Sequence, residues 1–162
     1  MKRPAWLMNS YLKYLPALLL LLTTLGGCAS TPEASLGRDA EAKRFISHPA
    51  TAAIYVYRVD MGGGDQPDSV LYVDGRLIGA TLPRAYFRID VNPGQHVLNG
   101  VGQDQGKLEL ETRPGQNYFV ELSVIAGNSF FTVVDPPTAQ QTIIACCALL
   151  ENWAPGQRPL LR

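Results

Sequence analysis

The chain is poor in the residues that carry out chemistry and in the spacings that hold metals. It has three cysteines and two histidines in 162 residues. Neither HExxH nor CxxC occurs, and neither His48 nor His96 has further ligands at metal-binding spacing, so a zinc site is not expected. There is no GxGxxG and no Walker lysine to cradle a phosphate. Ser69, Ser123 and Ser129 lack the Gly-x-Ser-x-Gly context of an activated nucleophile. Lysine and arginine form no cluster, which argues against nucleic acid as a partner. No apolar run approaches the roughly 20 residues that a membrane span requires.

What the chain does have is a leader. Lys2, Arg3 and Lys13 precede the apolar run Leu15–Leu25, which ends in Leu25-Gly26-Gly27-Cys28. A positive start, a short apolar stretch and small residues before a cleavage point describe a secretory signal peptide. The cysteine placed directly after Leu-Gly-Gly resembles the lipobox of bacterial lipoproteins. That resemblance implies removal of residues 1–27 and acylation of Cys28, which becomes the N-terminus and the membrane anchor. Met8 is an alternative start that leaves the anchor unchanged. Ala29 is not the aspartate that commonly retains lipoproteins at the inner membrane, so the expected location is the outer membrane, facing the periplasm, in a Gram-negative host.

Loss of the leader removes three of the 14 basic side chains and none of the 14 acidic ones, leaving a net charge of −3. The remaining 135 residues suffice for one domain with its own core. Residues 28–50, rich in Ala, Ser, Thr, Pro and charge, read as a flexible tether. The domain is expected over 51–153, followed by a loose tail over 154–162. Only Cys146 and Cys147 remain as thiols. A bridge between neighbours is strained, so the pair reads as small buried apolar residues, with a redox role as the alternative.

Strands are expected at Ala53–Val59, Ser69–Val73, Arg76–Gly79, Ala85–Val91, His96–Val101, Lys107–Thr112, Asn117–Val124 and Phe130–Val134. Asp74-Gly75 marks a tight hairpin, because both central residues need positive φ. Met61–Asp68, with three consecutive glycines, reads as a flexible loop, and its Asp65 and Asp68 lack the alternation of a calcium loop. Three Pro-Gly-Gln tripeptides, at Pro93, Pro114 and Pro155, mark further turns, and Gly102–Gly106 another. Thr138 can cap a helix from Ala139 to about Asn152. The pattern predicts a mainly β fold, a small antiparallel β-sandwich with one C-terminal helix.

Several of these segments together resemble a family. They are Ala53–Val59, Leu71-Tyr72-Val73-Asp74-Gly75-Arg76-Leu77-Ile78-Gly79, Tyr86–Val91, Pro93-Gly94-Gln95-His96 and Tyr118-Phe119-Val120. Their order and spacing resemble the bacterial envelope lipoproteins of the domain of unknown function 2846, and more distantly PEGA-type surface modules. The resemblance spans Ala53 to Val134. It implies a small sandwich of carbohydrate-binding or prealbumin-like type and carries no activity with it.

The candidate site residues are few. His96 reads either as a general base or ligand, or as an exposed residue bonding across its turn, opposite Tyr86, Arg88 and Asp90 if the Pro93-Gly94 hairpin pairs those strands. His48 lies in the tether, a poor place to hold a geometry. Glu109 and Glu111 share a strand face about 7 Å apart, which suits a glycosidase pair or simply a solvated face. Tyr55, Tyr57 and Tyr86, with Arg88 and nearby Arg58, Arg76 and Arg84, read either as core or as a face for stacking a glycan or gripping a protein. The functional expectation is a lipid-anchored, non-enzymatic envelope module for binding or scaffolding, with no cofactor. A glycan- or peptidoglycan-binding module is the alternative, and a hydrolase with an unrecognised site a lesser one.

Overall fold

The computed structural model describes residues 31–60, 69–100 and 106–151. The leader with Cys28, the glycine-rich loop 61–68, most of the Gly102–Gly106 turn and the C-terminal tail lie outside the described residues. Among the described residues, nine strands and two helices follow in the order α1 (Leu36–Ala42), β1 (Ala52–Arg58), β2 (Ser69–Val73), β3 (Arg76–Thr81), β4 (Ala85–Val91), β5 (Gly94–Asn99), β6 (Lys107–Thr112), β7 (Asn117–Ile125), β8 (Asn128–Val134), α2 (Pro136–Cys146) and β9 (Ala148–Leu149). The strands form two sheets, ordered β8-β7-β1-β4-β9 and β3-β2-β5-β6. The fold is a mainly β sandwich, as the strand pattern predicts. Its larger sheet is mixed: β1 runs antiparallel to β4 but parallel to β7, and β4 parallel to β9.

The centre of that sheet explains its arrangement. All seven residues of β1 are buried, because the strand has a layer on each side. With a side-chain period of two, Ile54 and Val56 face inward with Phe87, Ile89, Val120 and Leu122, against Leu71, Val73, Ile78 and Leu98 of the second sheet. Ala53, Tyr55 and Tyr57 face outward with Tyr86 and Phe119, and are covered by Ala42 of α1 and by Ala139 and Ile143 of α2.

Four sequence expectations are corrected. The first concerns the tether. Residues 31–50 join the domain: the compact unit begins at Thr31, α1 is capped by the Ser35 hydroxyl accepting from the Arg38 N–H at 3.4 Å, and Ala42 is buried. Too few apolar residues lie in this segment to announce it. It is held by polar contacts to distant strands and by Ala42 and Phe45, which pack on the outer face of the larger sheet.

The second concerns Pro93-Gly94, which does not close a hairpin. β4 and β5 belong to different sheets, and His96 stands opposite Leu110 of β6 rather than opposite Tyr86, Arg88 and Asp90. A proline–glycine turn reverses the chain equally well within a sheet or between two, so the turn alone does not choose. The third concerns the C-terminal helix, which starts at Pro136 and ends at Cys146. Its cap is Asp135, whose carboxylate accepts from the Thr138 N–H at 3.0 Å. Prolines at the first two helical positions sacrifice no hydrogen bond and preset φ. The fourth concerns Cys146 and Cys147, which are joined by a disulfide. The bridge sits where the chain leaves the helix and turns extended, Cys147 having φ −122° and ψ 144°. The expectation of burial fits Cys147, which is 4% exposed.

One short segment ties the two sheets together at an edge. The Thr31 hydroxyl accepts from the Ala80 N–H of β3 at 2.8 Å. Two residues on, Glu33 bridges Leu150, the Ala34 N–H donates to the Leu149 carbonyl at 2.8 Å and the Glu151 N–H to the Pro32 carbonyl at 2.9 Å. The outer side of β9 is thereby paired rather than left open. At the opposite edge of the larger sheet, β8 leans on Gly100, where an added Cβ would lie 2.2 Å from the Ser129 Cβ. Replacement Gly100→Ala is expected to lower unfolding free energy by about 1–3 kcal/mol, the usual cost of overpacking. Gly37→Ala, in α1 with nothing within 4 Å, should be neutral or stabilising, by up to about 1 kcal/mol. Urea unfolding of the two variants checks both; equal stabilities would refute the close approach at Gly100.

Candidate functional site

The outward tyrosines are the first test of the candidate residues, and they are core. Tyr55, Tyr57 and Tyr86 are each at most 1% exposed. Tyr55 stacks between Phe119, at 5.1 Å, and Tyr86, at 6.2 Å, with Phe45 edge-on at 5.3 Å. Each hydroxyl has an acceptor: Tyr55 donates to the Ala42 carbonyl at 3.0 Å, Tyr57 to a Glu121 carboxylate oxygen at 3.1 Å, and Tyr86 to Asp39 Oδ1 at 3.0 Å. Their rings cannot stack on a glycan, because helices cover the face that alternation leaves outward. Arg88 lies beside this cluster with its guanidinium 5.9 Å from the Tyr55 ring centre and 3.1 Å from Asp90 Oδ1. The structure thus brings the four residues together as an interior layer with Arg88 at its margin.

The other candidates separate. His96 is 8% exposed rather than an open hairpin residue. Its Nδ1 lies 2.7 Å from Asp74 Oδ2 and its Nε2 2.8 Å from the Asn92 carbonyl, while Asp74 Oδ1 accepts from the Val97 N–H at 2.9 Å. A neutral ring has one N–H and satisfies one of these acceptors, whereas the cation satisfies both. This is a brace between the Asp74-Gly75 turn and β5. Glu109 and Glu111 are exposed on β6, and Lys107 is 2.6 Å from Glu109 and holds its carboxyl below the usual range through a hydrogen bond and its charge. Arg58 is buried and donates to the Thr81 carbonyl at 3.0 Å. No group of three or more His, Cys, Asp or Glu placed to hold a metal ion occurs among the described residues.

A cleft among the described residues lies elsewhere, between α1 and the junction of α2 with β9. About 540 Å³ in volume, it is lined by Glu33, Asp39, Lys43, Pro83 and Arg84 on one side and by Ile144–Ala148 with the disulfide on the other. Its size falls within the range of small-molecule sites, although it is open to solvent. Asp39 is committed to the fold: one oxygen accepts from Tyr86 and from the Leu149 N–H at 2.9 Å, the other from Lys43 Nζ at 2.8 Å. Arg84, at φ 60°, is exposed and makes no side-chain hydrogen bond or ion pair among the described residues. Its main chain fixes it there, the N–H donating to Arg58 and the carbonyl accepting from Ala148. The cleft can therefore offer a cation, a sulfur wall and the apolar Ile144, and it has no nucleophile paired with a base.

Sequence reading missed this site. Asp39 and Lys43 fell in the presumed tether, and Arg84 was one of several arginines without a pattern. The i,i+4 spacing of Asp39 and Lys43 was the available signal for a helix there.

No family model matches the chain, and no solved structure matches it. A protein of Haemophilus influenzae described as uncharacterized is 31% identical over 98 residues, which cover 59% of this chain and 58% of the relative. The match thus spans less than two thirds of that relative's length.

Burial also sets the titration of the aromatic layer. Loss of solvent pushes the Tyr55 hydroxyl up from 10.0 to about 12, with Arg88 opposing and Asp90 adding. Tyr57 and Tyr86 are also raised, by burial first and then by Glu121 and Asp39 respectively. A phenol whose folded value exceeds its unfolded value stabilises the fold fully below the unfolded value, and that contribution is lost as pH climbs through the folded one. Stability should therefore fall between pH 10 and about 12, and Tyr55→Phe should shallow that fall. Urea unfolding across this range checks it, and an unchanged slope in the variant would contradict the assignment.

Proposed function

We propose that this is a lipid-anchored protein of the bacterial envelope whose β-sandwich binds or scaffolds and performs no catalysis. The observation that carries the reading is Leu25-Gly26-Gly27-Cys28 at the end of a short apolar run, followed three residues later by the first residue of a packed domain. Acyl chains on Cys28 hold the protein to the membrane, since two or more suffice for stable attachment. Ala29 directs it to the outer membrane with the domain in the periplasm. The resemblance of Leu71–Gly79 and Pro93–His96 to envelope lipoproteins of the domain of unknown function 2846 accords with this location.

The binding reading rests on the cleft beside α1, where, among the described residues, Arg84 offers an unpaired positive charge and Ile144 an apolar surface. A glycan-binding alternative resting on Tyr55, Tyr57 and Tyr86 loses its residues to the core. The carboxylates Glu109 and Glu111 remain a solvated strand face.

The anchor is tested by intact mass of the protein extracted from membranes. The expected mass is that of residues 28–162 plus acyl chains, and Cys28→Ala should retain the leader without acylation. An unmodified soluble chain would overturn the reading.

A further inference from the structure

The distance between anchor and fold is short, and this has a consequence for orientation. Had residues 28–50 been a tether, the domain could sample any attitude. The packed unit instead starts at Thr31, whose hydroxyl is bonded to β3. Three residue steps separate it from Cys28, about 10 Å of chain even when fully extended. The segment that follows, through Ala34, is stitched to β9. The part of the domain next to this segment is thus confined to the neighbourhood of whatever holds Cys28.

That part carries the cleft and two exposed aliphatic side chains. Glu33, two residues after Thr31, lines the cleft. Leu36 is 89% exposed, and stands three and seven residues before Asp39 and Lys43, on the same side of α1 as the cleft wall. On the other wall Ile144 is 58% exposed. Arg84 and Lys43 line the cleft together with Glu33 and Asp39, and Lys43 is paired with Asp39 at 2.8 Å, which leaves Arg84 as its unpaired cation among the described residues. Aliphatic side chains flanking a cation are suited to an interface of phosphates above acyl chains.

We propose that the cleft-bearing face, with Leu36 and Ile144 at its rim and Arg84 and Lys43 within it, seats on the phospholipid headgroup layer in which Cys28 is anchored; this rests on the lipid-anchor reading. Leu36 and Ile144 enter the interface, and Arg84 meets a lipid phosphate, Lys43 being paired with Asp39. The occupant is the bilayer because the chain linking it to this face is only three residues long. The opposite edge of the larger sheet, at β8, lies four strand spacings from β9, about 19 Å away, and faces the periplasm.

The test uses acylated protein purified from membranes and placed in vesicles of phosphatidylethanolamine and phosphatidylglycerol, some with brominated acyl chains. Trp153→Phe supplies a dark background for Leu36→Trp, Ile144→Trp and, as a control, Val133→Trp. Val133 on β8 is 53% exposed, close to Ile144 at 58%, so the comparison is of position rather than of exposure. Brominated lipid should quench tryptophan at 36 and 144 at least twofold more than at 133. Equal quenching at 144 and 133 in a chain whose mass shows the acyl groups overturns the docking and leaves the anchor standing. A blue-shifted but unquenched tryptophan at 144 means that protein covers the face, which also overturns it. A chain without acyl groups overturns the anchor and the docking together.

Discussion

Three buried tyrosine hydroxyls constrain this structure more than any other feature. Alternation along β1 and β4 puts Tyr55, Tyr57 and Tyr86 on the outer face of the larger sheet, where their rings need a cover and their hydroxyls need acceptors. A buried hydroxyl left unpaired costs about 1–3 kcal/mol, so the cover cannot be merely apolar. The end of α1 answers both demands. Ala42 gives its carbonyl to Tyr55, and Asp39 gives a carboxylate oxygen to Tyr86. Tyr57 is met from within the sheet by Glu121. A segment that looks like a spacer in composition is drawn onto the fold because the sheet beneath it is polar at its tips.

Several other features follow from this docking. With α1 in place, the residues before it run along β9 and over to β3, closing one side of the sandwich. Asp39 receives the Leu149 N–H as well as Tyr86 and Lys43, so one carboxylate joins helix, sheet and edge strand. The gap between α1 and the end of α2 becomes the cleft, and its walls belong to the elements that cover the core. Arg38 pairs with Glu151 across the same edge. The candidate site is thus a by-product of the packing that buries the tyrosines.

What the sequence made legible was whatever local chemistry determines. Asp74-Gly75 forms its hairpin with φ of 52° and 75°, and the eight expected strands all exist. β1 reads as a strand because Ile54, Val56 and Tyr57 favour one, and as central only once both its layers are known. Ala126-Gly127, at φ 50° and 79°, turns β7 into β8 with a less distinctive dipeptide, since alanine rarely marks positive φ. Pro136 and Pro137 look like a stop but open a helix, because the first turn needs no N–H donors. Strand partnership was not legible: Pro93-Gly94 passes between sheets, and β1 pairs in parallel with β7 through contacts far apart in sequence. The cleft was hidden for the same reason, its walls coming from residues 33–43, 83–84 and 144–148.

Whether residues 31–50 belong to the fold decides both the cleft and the closeness of the domain to its anchor. Native-state hydrogen exchange addresses it directly. The Ala34 and Lys43 amides donate to Leu149 and Asp39, and they should exchange slowly, within about tenfold of the Leu150 amide on β9's flank. Exchange of Ala34 and Lys43 at the rate of an unstructured chain, with the amides of β1 still protected, would mean that the segment is a tether after all.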